Sequence, residues 1–289
     1  MKKTLLVLLM LVSLNLRGTV IPARSVQMDP QPTETAPIVT VLPNPFQPEE
    51  GGTAGSETEP ETTAWTVDPS CPMVALTFDD GPHPVYTDQL PDILEENGAA
   101  ATFFEVGQKL SCAPEAVRRA EKLGCEIGSH SYRHANLGKM DPEALEADLV
   151  AADAAFKEVL GAVPTLLRPP YGATSKALKE DSGRSIVTWS VDPQDWKSRD
   201  AEQVVAHIQG AGELDGQVIL LHSPYESSVE ATRTLVPWLR EQGYQLVTVS
   251  ELITLRFGDT LEPNRLYNYD YFRRPPALPE NAGEGQSAA

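Results

Sequence analysis

Apolar residues follow two patterns along the middle of the chain. Short unbroken apolar runs predict buried strands, and apolar residues that recur every three or four positions predict amphipathic helices. The predicted strands cover residues 73–78, 99–106, 125–128, 166–167, 186–191, 217–221 and 245–249. The predicted helices cover residues 87–97, 113–123, 142–160, 201–209 and 230–242. Because strands and helices alternate, we predict a parallel α/β fold, and this many strands indicate a barrel.

The third predicted helix has the clearest start and end. Asp141 is a favourable N-cap residue, and Pro142 suits the first helical position. Leu145 and Phe156 then fall on one face, and Gly161 follows as a stop signal. These signals predict a helix over residues 142–160.

The two ends of the chain differ from this central pattern. Residues 1–23 carry two lysines directly after Met1 and continue with a short apolar run, which is typical of a signal peptide or an N-terminal anchor. Residues 24–66 are rich in Pro, Thr, Glu and Gly, so we expect an extended acidic linker. The tail, residues 258–289, shows no clear periodicity. We therefore expect one folded domain at 67–257, exported to the cell exterior or the cell wall, and either secreted or anchored to the membrane.

Charge and cysteine content exclude several classes of protein. The 289-residue chain has a formal net charge of -18, which opposes non-specific binding to nucleic acid. Its three cysteines, Cys71, Cys112 and Cys125, are too few for a disulfide framework and lack the Cys-x-x-Cys spacing of metal sites. We expect a monomer.

Two adjacent carboxylates end the first predicted strand. Asp79 and Asp80 follow the apolar run, and Gly81 and Pro82 then turn the chain. At such a turn both side chains can enter one cavity, and two ionised carboxylates this close need a neighbouring cation unless one is protonated. A simple surface turn fits the same four residues.

Other polar residues follow the later predicted strands, where parallel α/β folds form their sites. They are His130, His134, Arg168, Tyr171, Asp192, Asp195, Trp196 and His222. His130 and His134 form a His-x3-His pair, which can chelate one ion from a helical turn, although two surface histidines fit it too. Asp80 would complete a set of two imidazoles and one carboxylate, which suits Zn²⁺ or another divalent transition metal such as Co²⁺.

Four of these residues have a structural interpretation beside the functional one. Arg168, held by the prolines that follow it, suits orientation of the Asp79 carboxylate but also fits a surface charge. The backbone N–H of Tyr171 is free to donate to an oxyanion, whereas its ring also suits simple packing. Trp196 fits either the core or a wall that stacks on sugar, and His222 fits either a catalytic group or a hydrogen-bonded core histidine.

Together these residues resemble the polysaccharide deacetylase family, carbohydrate esterase family 4, with its NodB homology domain. The five motifs of that family occur in order as Thr77-Phe78-Asp79-Asp80-Gly81, His130-Ser131-x-x-His134, Arg168-Pro169-Pro170-Tyr171, Asp192-x-x-Asp195-Trp196 and Leu220-Leu221-His222. The resemblance covers residues 67–257 and implies a distorted (β/α)7-type barrel that removes acetyl groups from N-acetylated sugars. One departure is that many members have Asp after the last motif, where this chain has Ser223.

The resemblance also implies a role for each site residue. The catalytic residues would be Asp79 as general base, His222 as general acid, Arg168 to orient Asp79 and Asp195 to tune His222. The metal ligands would be Asp80, His130 and His134, and the substrate-binding residues would be Tyr171, Trp196 and Leu220. The expected metal is Zn²⁺, with Co²⁺ or another transition metal as the alternative.

Residues 189–199 resemble peptidoglycan N-acetylglucosamine deacetylases more than fungal chitin deacetylases. We therefore predict metal-assisted removal of acetyl groups from N-acetylglucosamine residues of peptidoglycan, with chitooligosaccharides as the alternative substrate. An acetylxylan esterase is a second alternative, because an alkoxide leaves with less help from His222. A non-catalytic cell-wall-binding module would tolerate loss of Asp79 or His222, and a two-carboxylate glycosidase would not need the histidine pair.

Overall fold

The computed structural model describes residues 66–275 of the chain. The predicted signal or anchor at 1–23, almost all of the predicted linker, and residues 276–289 of the predicted tail lie outside the described residues. Between residues 66 and 275, no helix has the length and apolar character needed to cross a membrane.

Strands of the described residues pair in parallel to form one sheet. They are β1 (Met73–Gly81), β2 (Thr102–Glu105), β3 (Glu126–Ser129), β4 (Leu166–Leu167), β5 (Ser185–Val187), β6 (Val218–His222), β7 (Gln245–Leu246) and β8 (Leu266–Tyr267). Their order across the sheet is β6-β1-β2-β3-β4-β5-β8, and β7 pairs with β1. The sheet curls into a half-barrel, which confirms the predicted α/β barrel class. It contains one strand more than expected, because β8 lies in the segment that was expected to be an irregular tail.

Helices connect most of the strands. They are α1 (Gln89–Glu96), α2 (Pro114–Lys122), α3 (Pro142–Leu160), α4 (Lys176–Asp181), α5 (Asp195–Ser198), α6 (Ala201–Gln209), α7 (Glu226–Glu241), α8 (Val249–Glu251) and α9 (Tyr269–Phe272). Short 3-10 helices lie at Gly107–Cys112, Leu137–Lys139 and Pro170–Gly172, and a π-helical turn at Leu252–Arg256. The predicted ends of α3 are confirmed, since the Asp141 side chain accepts from the Ala144 N–H at 2.8 Å and Gly161 adopts a left-handed φ of 74°.

Residues 73–76 of β1 are all apolar because both faces of the strand are buried. Val74, Leu76 and Phe78 belong to the core between the sheet and the helices. Met73 and Ala75 belong to a second core that includes residues of β8 and α9. Successive side chains of a strand alternate between its faces, so Asp79 follows Met73 and Ala75 on the second face.

The strand register brings the carboxyl ends of the strands to one edge. Asp79 pairs with His222 on β6, and Gly81 pairs with Glu105 on β2. Ser129, the residue before His130, pairs with both Glu105 and Leu167, and Arg168 follows Leu167. The polar residues predicted to lie at strand ends therefore meet at this edge.

Strand β5 is shorter than its apolar sequence predicts. The prediction covered residues 186–191, but the ladder ends at Val187. Beyond this point the chain leaves the ladder and pairs with β6, where Val191 forms a bridge with Ile219. The Arg168 guanidinium donates to the carbonyl oxygens of Val187 at 3.3 Å and Thr188 at 2.9 Å where the ladder ends.

Candidate active site

Asp79 and Asp80 reach the same site because β1 bulges between them. The register with β2 shifts between Asp79 and Gly81, and Asp80 has a left-handed φ of 69°. Aspartate is one of the few residues other than glycine that adopt this conformation readily. As a result Asp79 Oδ2 lies 3.7 Å and Asp80 Oδ1 lies 3.4 Å from Nε2 of His130.

The two histidines lie on an irregular loop after β3. We expected a helical turn, and this expectation is wrong. Ser131 and His134 have positive φ angles of 67° and 57°, which no helical turn allows. The loop still brings the imidazoles together, with ring centroids 5.0 Å apart, and His134 Nε2 lies 2.9 Å from Asp80 Oδ1.

The geometry of Asp80, His130 and His134 fits a metal ion. One potential ligand atom from each residue lies within 4.8 Å of the other two. His130 Nδ1 donates to the Arg168 carbonyl oxygen at 2.7 Å, so its Nε2 carries a lone pair toward the cluster. Asp80 Oδ1 is buried, and despite its short distances to both imidazoles it accepts no well-directed hydrogen bond among the described residues. Ligands of a tetrahedral zinc ion are separated by about 3.3 Å, and the His130 and His134 Nε2 atoms lie 3.4 Å and 2.9 Å from Asp80 Oδ1.

The charge state of Asp80 suits this role. Burial raises the pKa of the Asp80 carboxyl, but the adjacent imidazoles of His130 and His134 lower it by more. The net effect is a pKa well below the ordinary range of aspartate. Asp80 is therefore ionised and available as a ligand across the physiological range.

Asp79 is held by a buried arginine. Arg168 Nη1 donates to Asp79 Oδ1 at 2.8 Å and to Thr77 Oγ1 at 2.7 Å, and the guanidinium carbon lies 4.0 Å from the centre of the Phe104 ring. Arg168 is fully buried and Asp79 is 2% exposed. Burial lowers the pKa of Arg168, and the adjacent Asp79 carboxylate offsets part of that effect. The arginine leaves Asp79 Oδ2 directed toward the histidine side of the site, where a water molecule could be deprotonated.

His222 is held by a buried aspartate on the opposite side of Asp79. Its Nδ1 and Asp195 Oδ1 are 2.8 Å apart, and the His222 backbone N–H donates to Asp195 Oδ2 at 2.7 Å. Ser228 Oγ donates to the same Oδ2 at 2.6 Å. Burial lowers the pKa of His222, but the Asp195 hydrogen bond and charge, aided by the Asp79 and Asp80 charges, raise it above its ordinary value.

The predicted substrate-binding residues differ in exposure. Tyr171 is 69% exposed, and its N–H has no hydrogen-bond acceptor in the described part of the chain. Trp196 is 46% exposed, on α5 beside Asp195. Leu220 is buried in β6, two residues before His222. Tyr171 and Trp196 are therefore open to a ligand, whereas Leu220 lies on the same face of β6 as His222 and is buried.

Sequence reasoning missed several residues that support the site. Thr77 and Ser228 position Arg168 and Asp195, and each pairs with a residue far away in sequence. Arg199 lies over the Tyr225 ring at 3.1 Å, and this ring lies 5.9 Å from the His222 ring. Thr77 belongs to the first motif, but no local pattern distinguishes the other three residues.

Glu105 is a further residue that sequence reasoning missed. It ends β2 beside Gly81, is 1% exposed, and neither of its carboxylate oxygens has a hydrogen-bond partner within residues 66–275. Burial is the main cause that raises the pKa of Glu105 to about 8, with Lys109 opposing and Asp79 and Asp80 adding to the rise. At neutral pH this carboxyl is mostly uncharged. The apolar run that precedes it led us to regard it as a strand residue only.

We expect Glu105→Gln to stabilise the metal-free protein at neutral pH. The folded carboxyl keeps its proton up to about pH 8, whereas the unfolded one loses it near 4.5. The contribution of this carboxyl to the free energy of unfolding is therefore fully present below pH 4.5. It decreases as the pH rises, and the loss is roughly 3 kcal/mol at pH 7. Urea unfolding should show variant and wild type alike near pH 4 and the variant more stable at pH 7. Glu121→Gln, an exposed change on α2, is the control, and a difference that does not vary with pH would contradict the prediction.

Comparisons with known proteins identify relatives of this chain. Residues 66–189 match the family model described as "Polysaccharide deacetylase". Peptidoglycan-N-acetylmuramic acid deacetylase PdaC of Bacillus subtilis (strain 168) is 39% identical over 188 residues, which are 65% of this chain and 40% of that protein. The chain thus spans less than half of that relative. A peptidoglycan-N-acetylglucosamine deacetylase of Bacillus cereus is 36% identical over 65% of this chain and 92% of that protein.

Solved structures show the same fold. The structure of B. subtilis PdaC matches with a TM-score of 0.63 and 37% identity, over 65% of this chain and 93% of that chain. The structure of a family 4 acetyl xylan esterase from Clostridium thermocellum, in complex with a cobalt ion, matches with a TM-score of 0.63 and 34% identity, over 68% of this chain and 98% of that chain. The five motifs lie at the strand ends, the fold is shared with these solved structures, and the sequence is matched along nearly the whole B. cereus relative. These findings show that the chain belongs to the polysaccharide deacetylase family.

Proposed function

We propose that this protein is a metal-dependent hydrolase that removes acetyl groups from N-acetylglucosamine residues of peptidoglycan. The observation that carries the proposal is a pair of proton-transfer groups, Asp79 and His222, on adjacent strands beside one cluster of metal-ligating atoms. Hydrolysis of an amide needs a base to activate water and an acid to protonate the departing amine. The names of the B. subtilis and B. cereus relatives support peptidoglycan as the polymer.

Asp80, His130 and His134 would hold the metal. Their oxygen and nitrogen atoms suit Zn²⁺ or Co²⁺, and the cobalt complex of the C. thermocellum relative supports a divalent transition metal. When bound, such an ion supplies Lewis acidity that activates water and polarises the acetyl carbonyl.

The residues of the chain carry out the proton transfers. Asp79, fixed by Arg168, accepts a proton from the water whose oxygen attacks the acetyl carbon. The Tyr171 N–H donates a hydrogen bond to the carbonyl oxygen as it gains negative charge. His222, kept protonated by Asp195, donates a proton to the amide nitrogen as the C–N bond breaks. The products are acetate and a glucosamine residue with a free amine.

Removing the metal should abolish activity without unfolding the protein. We expect chelation to lower acetate release about 10³-fold, because the lost interactions with the reacting oxygens stabilise the transition state by several kcal/mol. Zn²⁺ or Co²⁺ should restore the activity. The measurement is acetate release from an N-acetylglucosamine oligomer together with metal content per chain.

Two histidine variants separate the ligand cluster from histidine chemistry elsewhere. His134→Gln should lose both metal and activity, whereas His207→Gln, an exposed change on α6, should keep both. Full activity in metal-free wild type would contradict the metal-dependent proposal.

Ester hydrolysis is the second candidate, and the likeness to the C. thermocellum acetyl xylan esterase favours it. An alkoxide leaves more readily than an amine and needs less help from an acid. The hydrogen bonds of Asp195 hold His222 in place as an acid. Because an amine needs such an acid more than an alkoxide does, this arrangement favours the amide reaction. Acetate release from acetylated xylan compared with chitooligosaccharides separates the two reactions.

The same proposal includes export of the chain to the cell wall. Residues 1–23 would direct export or anchor the chain, and residues 24–66 would space the catalytic domain from the membrane. The names of the relatives refer to peptidoglycan, which is a polymer of the cell wall, and this supports the placement. Cell fractionation that finds the protein in the cytoplasm would overturn it, and mass spectrometry of the mature N-terminus would distinguish release from anchoring.

A further inference from the structure

The Lys109 ammonium binds a backbone carbonyl beside the metal-ligand cluster. Its Nζ donates to the Asp80 carbonyl oxygen at 2.7 Å, from a half-buried position on the 3-10 helix that follows β2. Asp80 is the proposed ligand whose backbone has a left-handed φ of 69°. Neither the five motifs nor the proposed reaction accounts for this lysine.

Lys109 binds this carbonyl and not a carboxylate. It forms no ion pair within residues 66–275, although Glu105 lies four residues earlier and its two buried oxygens have no hydrogen-bond partner there. A lysine that is held in one geometry also loses side-chain freedom, so its contact has a cost in conformational entropy. The lysine therefore acts on the backbone of Asp80 and not through an ion pair with the Asp80 carboxylate.

The contact lies at the bulge that places both aspartates. The carbonyl oxygens on either side of Asp80 accept from backbone N–H groups of the neighbouring strand ends: that of Asp79 at 3.0 Å from the residue after β6, and that of Gly81 at 2.8 Å from the residue after β2. Asp80 itself has no partner in the ladder with β2, and its carbonyl accepts from the Lys109 side chain. Lys109 thus supports the bulge at the residue that carries the proposed ligand carboxylate.

The turn that carries Lys109 also contacts the histidine loop. The backbone N–H groups of Gly107 and Gln108 donate to the carbonyl oxygens of Ser131 and Tyr132, at 3.0 and 2.7 Å. These two carbonyl groups lie between the two proposed histidine ligands in the sequence. One turn therefore binds the backbone on both sides of the cluster, the aspartate ligand on one side and the histidine loop on the other.

We propose that Lys109 is a positioning residue of the metal site, which holds the Asp80 backbone so that its carboxylate faces the two imidazoles. The inference rests on the proposed function, because it takes Asp80 as a metal ligand. Removing a group that orients a ligand without touching the metal typically weakens metal binding by about 10- to 100-fold. The proposal therefore adds a residue outside the five motifs to those that set the zinc affinity.

The zinc affinity of Lys109→Met tests the proposal, because two explanations of the lysine predict changes of opposite sign. Removing a nearby positive charge would by itself tighten the binding of a divalent cation. Removing a positioning contact should weaken it, and we expect a dissociation constant about tenfold higher than that of wild type, measured by competition with a chromogenic chelator. Lys109→Arg should restore most of the affinity. Lys122→Met, the same change at an exposed position of α2, is the control.

Three further measurements separate positioning from loss of the fold and from loss of a catalytic group. Urea unfolding of the metal-free protein should show that Lys109→Met folds; if it does not, Lys109→Gln takes its place with the same expected direction. The visible absorption of the Co²⁺-loaded protein reports ligand geometry, and it should change in Lys109→Met but not in Lys122→Met. Excess zinc should restore acetate release by Lys109→Met, because Asp79 keeps its hydrogen bond from Arg168.

The outcomes distinguish this inference from the proposed function. Zinc binding by Lys109→Met that is unchanged or tighter than in wild type would overturn the positioning role and leave the proposed function intact. Wild type that binds zinc and releases no acetate would overturn the proposed function, while the comparison of dissociation constants would still decide the role of Lys109.

Discussion

Replacing Asp79 with asparagine should lower turnover by about 10³-fold or more and leave the metal content nearly unchanged. An amide cannot accept the proton from water, and general-base catalysis contributes about 10²- to 10⁴-fold. The assigned ligands are Asp80, His130 and His134, so the ion should remain. Turnover on an N-acetylglucosamine oligomer and metal content per chain are the two measurements.

The same variant should also be less stable. Arg168 is fully buried and would lose the only carboxylate that binds it within residues 66–275. Leaving a buried charge unpaired costs about 3 kcal/mol or more. Asp181→Asn, the same chemical change at an exposed position of α4, should alter neither activity nor stability. If Asp79→Asn loses its metal together with its activity, the division of work between Asp79 and Asp80 is wrong.

Asp195→Asn should lower turnover about 10²-fold and move the basic limb of the pH–rate profile to lower pH. His222 must be protonated to donate to the leaving amine. Against the opposing effect of burial, Asp195 raises the pKa of His222 and keeps it protonated to higher pH. Asparagine removes the charge and, at the position of Oδ1, the best acceptor for Nδ1–H. The pKa of His222 should therefore fall, and activity should be lost at lower pH than in wild type.

The two limbs of the pH–rate profile show whether Asp195 raises the pKa of His222 or only packs against it. The acidic limb depends on Asp79 and the metal-ligand cluster, so it should move much less than the basic limb. Ser228→Ala, which removes one donor to Asp195 Oδ2, should leave the charge of Asp195 and most of the shift intact. A basic limb that stays in place in Asp195→Asn, at any loss of rate, would show that Asp195 supports His222 only by packing.

Local sequence signals predicted the elements that depend on local interactions. Helix α3 has its cap, its first-turn proline and its terminal glycine all within its own segment. The strand-end residues were also predictable, because parallel strands bring their carboxyl ends to one edge whatever the details of the loops. Asp79, Arg168 and His222 meet at that edge in the structure as expected, while their catalytic roles stay predictions.

Features that depend on distant partners were not predictable. The histidine loop is not helical, because Ser131 and His134 adopt left-handed conformations that no local pattern indicates. Strand β8 has two residues and exists through its pairing with β5, so its sequence shows no periodicity. Glu105 follows an apolar run, and only the fold shows that its carboxyl is buried without a partner.

The most direct test of the central claim is the stoichiometry of products from peptidoglycan. Purified, zinc-loaded protein is incubated with peptidoglycan and, in parallel, with acetylated xylan, and acetate, free amines and reducing ends are counted. We predict one new free amine for each acetate released from peptidoglycan, no new reducing ends, and about 10³-fold slower product release from Asp79→Asn. Acetate from xylan without amines from peptidoglycan would identify an esterase, and reducing ends without acetate would identify a glycosidase; either result would contradict the proposed N-deacetylation.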